Sequence, residues 1–138
     1  MNEADRTISH RLWISVLDLD LQLYKGSIYK LRWGTPGGLD MALPCYDRAI
    51  TTLDDTEWPE DLRESAADLR ERVAAYRGTL ERKDVTTASA QHSRMMIAFD
   101  ALRDQVRAWP EASPSAGSPS RATPEASRLA MDEVVSSG

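Results

Sequence analysis

The sequence has a single cysteine, Cys45, among 138 residues. One thiol cannot form an internal disulfide or, alone, a thiolate zinc site. No apolar run approaches the roughly 18 residues that span a bilayer, and the acidic start is unlike a signal peptide. Seventeen Lys and Arg residues oppose 22 Asp and Glu residues, for a net charge of -5, which argues against a dedicated DNA or RNA binder. The sequence therefore predicts a cytoplasmic protein with neither membrane nor nucleic-acid partners.

Motifs that carry chemistry are also missing. There is no HExxH, no phosphate-binding GxxxxGK[ST], no calcium-binding EF-hand loop and no GxSxG nucleophile motif. A carboxylate-bridged metal bundle needs Glu three residues before an inward His, but Thr7 precedes His10 and Ser89 precedes His92 at that spacing. No catalytic residue and no metal ligand set is predicted, and a non-enzymatic protein is favoured.

Enough apolar sequence is present for one core, since 41% of residues are hydrophobic and 28% are charged. The composition changes at Trp109, after which Pro, Ser and Ala dominate. Residues 1–109 are therefore predicted to form a helical domain, and residues 110–138 a flexible tail. Within the tail, residues 124–135 are expected to fray, with a tethered docking helix as the alternative.

Two segments near the end of the domain have the spacing of packed helices. Residues 59–83 carry apolar side chains at alternating intervals of four and three, and residues 88–109 repeat the pattern. The short connection between them requires an antiparallel hairpin. A Gly- and Pro-rich loop at 34–44 and a short helix at 44–53 precede it, with Tyr46, Ala49, Ile50 and Leu53 facing inward. Cys45 is expected to be a small buried apolar residue.

The first segment carries two apolar stripes side by side. One contains His10, Ile14, Leu17, Leu21, Tyr24, Ile28 and Leu31, and the other contains Ile8, Leu12, Val16, Leu19 and Leu23. Both fit one long helix, although residues 17–23 also alternate like a β-hairpin strand. The helix is favoured because the stripes persist for about six turns; Gly26 would then mark a close helix contact. The predicted fold is an all-α small bundle: one long helix, one short helix and an antiparallel hairpin, with a flexible C-terminal tail.

The excess of apolar stripe predicts a protein-protein interaction module that acts as an accessory, adaptor or regulatory subunit. It would self-associate or bind a partner through the apolar face of the first helix. The predicted partner-binding residues are Leu12, Val16, Leu19, Leu23, Arg32, Trp33 and Trp58.

The alternative is a bundle that binds a ligand, haem or metal through His10 and His92. It requires the first and last helices to run parallel, because antiparallel helices would place the two imidazoles at opposite ends.

Overall fold

The computed structural model describes residues 2–30 and 38–110 and is an all-α bundle. Its four helices are α1 (Glu3–Lys30), α2 (Gly38–Asp55), α3 (Glu60–Glu81) and α4 (Val85–Ala108). Contacts divide the chain into Met1–Arg107, which holds the bundle, and Ala108–Gly138. The predicted tail lies outside the described residues from 111 onward, so its flexibility and its boundary at 109 remain predictions.

The first three helices are antiparallel to their neighbours in sequence. In α1 and α2, Gly26 lies against Tyr46 at one end, and Ser15 contacts Thr56 near the other. Between α2 and α3, ion pairs join Asp47 to Arg77 and Asp54 to Arg70. The order of these contacts along each helix requires reversal of the chain at every turn.

The fourth helix returns beside α3 and closes the bundle against α1. Tyr76 of α3 contacts His92 of α4, and that same His92 is hydrogen-bonded to Ser27 near the end of α1. At the opposite end of α4, the Arg107 guanidinium lies 5.8 Å from the ring centre of Trp13. The result is an up-and-down four-helix bundle in which α1 and α4 are antiparallel. The hairpin prediction is confirmed.

Each helix buries one stripe with the spacing of three and four residues that places side chains on a common face. The stripe of α1 is the one containing Leu12, and the stripe of α3 is the predicted one. The principal core residues are Leu12, Val16, Leu19, Leu23, Ala42, Tyr46, Ala49, Leu53, Leu62, Leu69, Val73, Tyr76, Leu80, Met95, Phe99, Leu102 and Val106.

The second helix begins at Gly38, six residues before the predicted start at Pro44. Proline within a helix removes one backbone hydrogen bond, here the one to the carbonyl of Asp40 in the first turn. The added residues bring Ala42 into the core beside Cys45 and Tyr46, which already lay within the predicted helix. Burial of Cys45 is confirmed, and the thiol lies about two turns inside the helix.

Gly26 of α1 lies in close contact with Tyr46 of α2. A Cβ placed on it would lie 2.5 Å from Cζ of Tyr46, whose side chain is fully buried. The helix is continuous through residues 25–27, so the β-hairpin alternative is excluded and the close contact at Gly26 is confirmed.

The α3–α4 connection is a tight turn of three residues. Lys83 has a left-handed φ of 58°, and the backbone N–H groups of Lys83 and Asp84 donate to the carbonyls of Leu80 and Thr79. This is the Schellman pattern at a helix C-terminus. Asp84 then caps α4, because its carboxylate accepts from the N–H of Thr86.

Candidate interaction surface

A row of large apolar side chains lies on the solvent face of α1. These side chains are 40% to 65% exposed. We call this row the outer seam: Ile14, Leu17, Leu21, Tyr24 and Ile28. Consecutive members are three or four residues apart, the spacing of a coiled-coil seam. At 100° per residue the row points about 150° away from the buried stripe of α1. The helix is therefore apolar on two opposite faces.

The predicted partner residues of α1 lie on its inner face. Leu12, Val16, Leu19 and Leu23 are at most 1% exposed and are part of the bundle core. No partner can reach them while the bundle is folded, so the candidate surface of α1 is the outer seam instead. Sequence spacing identifies two stripes on α1, but only the positions of α2, α3 and α4 decide which one is covered.

Trp58 is also part of the folded core rather than of an exposed surface. Its indole N–H donates to the carbonyl of Leu53 at 3.0 Å, and its own carbonyl accepts from Nε of Arg63 at 3.1 Å. These bonds fix the turn between α2 and α3. Arg32 and Trp33 lie outside the described residues.

Charged residues flank the outer seam on both sides. Arg11, Asp18 and Lys25 follow the edge that faces α2, where the Asp18 carboxylate accepts a hydrogen bond from the Thr52 hydroxyl. Asp20 is exposed on the edge that faces α4. The seam therefore has the apolar centre and charged borders of a helix-packing surface.

A groove of about 900 Å³ lies between α1 and α2, next to the first residue of the outer seam. Two hydroxyls bridge its walls: those of Ser15 and Thr56 are 2.8 Å apart, and the Thr56 hydroxyl also donates to the carbonyl of Thr52. Ser15 must therefore donate to Thr56, because each hydroxyl has one proton. This bond joins α1 to α2 across the groove.

The two histidines lie far apart. His10 is exposed in the first half of α1, whereas His92 contacts Ser27 near the end of that helix. At 1.5 Å per residue, about 25 Å of helix axis separates them. They cannot bind one metal ion or haem iron together. Within residues 2–30 and 38–110, no group of three His, Cys, Asp or Glu side chains is placed to hold a metal.

Ser27 and His92 form a hydrogen bond that resembles a nucleophile and its base. The Oγ to Nε2 distance is 3.0 Å, but Ser27 Oγ also donates to the Leu23 carbonyl at 2.9 Å. The single hydroxyl proton is committed to that carbonyl, so His92 Nε2–H is the donor to Ser27. A general base must accept the proton of its nucleophile. The pair therefore holds α4 against α1 and does not activate Ser27.

Two buried tyrosines continue this contact into the core. Tyr76 meets His92 edge to face, with 5.3 Å between ring centres, and Tyr46 meets Tyr76 at the same separation. We call Ser27, Tyr46, Tyr76 and His92 the aromatic layer, to which each helix contributes one residue.

Burial raises the pKa of both phenols, that of Tyr76 to about 12. The phenols therefore remain protonated at neutral pH. Periodicity identified Tyr46 and Tyr76 as core residues, but the layer depends on interhelical register, which the sequence does not encode locally.

Comparison of the chain with models of protein families, with curated proteins and with solved structures found no match. None of the four described helices combines the length and apolar character needed to span a membrane. The interpretation of the outer seam as a candidate interface therefore depends only on the geometry of this chain.

Proposed function

We propose that this protein is a non-enzymatic protein-protein interaction module that self-associates through the outer seam of α1. The observation that carries the proposal is the exposure of five large apolar side chains at the spacing that packs one helix against another. Scattered apolar residues are ordinary on protein surfaces, but a contiguous row marks an interface.

The apolar energy available is moderate. Full burial of a Leu, Ile or aromatic side chain stabilises by about 1.5–3 kcal/mol, so each half-exposed member of the outer seam has about 1 kcal/mol to gain. Two copies together would gain about 10 kcal/mol. Association costs at least about 4 kcal/mol in lost translational and rotational freedom. The surplus corresponds to a dissociation constant of tens of micromolar or weaker.

A second copy of this chain is the occupant that the surface fits best. A heptad seam is self-complementary, so the same row on two copies forms an isologous interface about a twofold axis. The borders are complementary as well, since Asp20 lies on one side of the seam and Lys25 on the other. The roles of accessory, adaptor or regulatory subunit, and the cytoplasmic location, remain predictions from the sequence.

The test compares a seam variant with a matched surface variant. Leu21→Glu places a charge in the centre of the seam, and Ile97→Glu makes the same change at an exposed position on α4. Sedimentation velocity from about 5 μM to about 1 mM covers the expected range of affinity. We expect the unmodified protein and Ile97→Glu to dimerise as concentration rises, and Leu21→Glu to remain monomeric with an unchanged circular dichroism spectrum.

Two results would overturn the proposal. One is an unmodified protein that stays monomeric over the whole concentration range. The other is a folded Leu21→Glu variant that dimerises as strongly as Ile97→Glu, which would place the interface elsewhere.

A further inference from the structure

We infer that the two copies pack α1 against α1 in parallel and in register, with Asp20 of each copy paired to Lys25 of the other. This inference rests on the proposed self-association and specifies its geometry. It follows from the residue types within the seam and from the charges beside it.

The apolar residues of the outer seam have the arrangement of a parallel two-stranded coiled coil. In heptad terms, Ile14, Leu21 and Ile28 occupy a positions, while Leu17 and Tyr24 occupy d positions. In parallel coiled coils, β-branched residues at a with leucine at d favour two strands. Two of the three a positions are isoleucine, and the first d position is leucine. In-register pairing also covers all five seam residues.

The flanking charges separate the two orientations. Asp20 occupies a g position and Lys25 the following e position, which meet across a parallel pair of helices. Twofold symmetry creates this favourable pair twice. In the antiparallel pair that places Ile14 opposite Tyr24 and Leu17 opposite Leu21, Ile28 would lie outside the paired seam. There Asp18 would face Asp18, Asp20 would face Asp20, and Arg11 would face Lys25. Every charged contact of that arrangement is repulsive.

Each exposed pair contributes little, so the charges decide orientation rather than overall affinity. The parallel dimer does bring Arg6 of one copy near Arg11 of the other, but this contact lies before the first seam residue. An antiparallel pair shifted by one heptad would join Asp18 to Lys25. That shift pairs only four of the five seam residues with one another, whereas parallel pairing in register pairs all five.

Charge reversal distinguishes these arrangements in solution. Lys25→Glu should weaken the parallel dimer about tenfold, because two attractive pairs become repulsive. In the unshifted antiparallel dimer the same change would strengthen association, since the introduced carboxylate would face Arg11. The double variant Asp20→Lys/Lys25→Glu should restore the original dissociation constant to within about twofold. Rescue by Asp18→Lys instead of Asp20→Lys would establish the shifted antiparallel dimer and overturn the inference.

Cross-linking gives a second readout that does not depend on charge. In a Cys45→Ala background, Ile14→Cys and Tyr24→Cys are oxidised separately and as a mixture. A parallel dimer cross-links in each variant alone, because like positions face each other. The unshifted antiparallel dimer cross-links only in the mixture, and the shifted one, which places Tyr24 opposite Leu21, cross-links in neither test. Either result would overturn the inference while leaving self-association intact. Failure of the unmodified protein to dimerise at all would instead overturn the proposed function.

Discussion

Replacing Gly26 by alanine tests the contact of α1 with Tyr46 of α2. The added Cβ would lie 2.5 Å from Cζ and 2.8 Å from the hydroxyl oxygen of Tyr46. Real Cβ atoms do not approach other heavy atoms so closely, so either the ring or the helix must move. The ring is fully buried and packed against Tyr76, which prevents it from rotating into solvent.

The expected magnitude combines two opposing effects. Alanine in place of glycine stabilises a helix by up to about 1 kcal/mol. Overpacking a well-packed core costs about 1–3 kcal/mol, and the upper end applies where a rigid ring is the obstacle. Gly26→Ala should therefore lower the free energy of unfolding by about 2 kcal/mol.

Gly78 in α3 provides a matched control. A Cβ there would meet only Nη1 of Arg82 at 3.2 Å, the mobile end of a long side chain. Gly78→Ala should therefore raise the free energy of unfolding by up to about 1 kcal/mol. Urea denaturation monitored by circular dichroism measures both variants, at a concentration low enough to keep the protein monomeric.

The close-contact interpretation makes one further demand. Tyr46→Leu removes the atoms that obstruct the new Cβ, so Gly26→Ala should cost much less in that background than in the unmodified protein. Equal costs in both backgrounds, or a stabilising Gly26→Ala, would show that the helices do not meet as described.

Two other predictions concern the α3–α4 turn and the aromatic layer. Lys83→Gly should stabilise the fold by about 1 kcal/mol, because Lys83 has a left-handed φ of 58° that costs an L-residue about 1–2 kcal/mol. A loss of stability in urea denaturation would contradict the turn geometry. Burial raises the pKa of Tyr76 to about 12, whereas an unfolded tyrosine titrates near about 10. The unfolded chain therefore releases this proton first as pH rises, and stability should fall between these values by about 2–3 kcal/mol. Between about pH 9 and about pH 12, the free energy of unfolding should fall less in Tyr76→Phe than in the unmodified protein. An identical fall in both proteins would exclude Tyr76 as the titrating group.

The hairpin was predictable because both of its helices are long and each has one apolar stripe. One stripe leaves a helix only one face to bury, so periodicity determines its orientation. The residue that caps α4 was harder to predict. Threonines near residue 86 are good caps by type, yet the carboxylate of Asp84 takes that role. Which polar side chain caps a helix depends on where the preceding chain enters.

The first two helices show where sequence patterns are insufficient. α1 has two apolar faces, and local spacing does not indicate which of them the other helices cover. In α2, the Gly- and Pro-rich stretch at 34–44 predicted a loop that ends at Pro44, but the helix begins at Gly38 and buries Ala42. The separation of His10 from His92 could not be predicted either, because it depends on the direction of α4 relative to α1. That direction depends on whether α2 reverses the chain.

The succession of the four helices also has a kinetic consequence. Three of the four interhelical contacts join neighbours along the chain, and only the contact of α1 with α4 closes a long loop. Such topology has low contact order and allows folding in microseconds to milliseconds. Under the proposed self-association, a newly made chain would complete its own core long before it met a second copy at micromolar concentration. Because that core is shared by all four helices, we expect copies that later separate to remain folded and free to exchange partners.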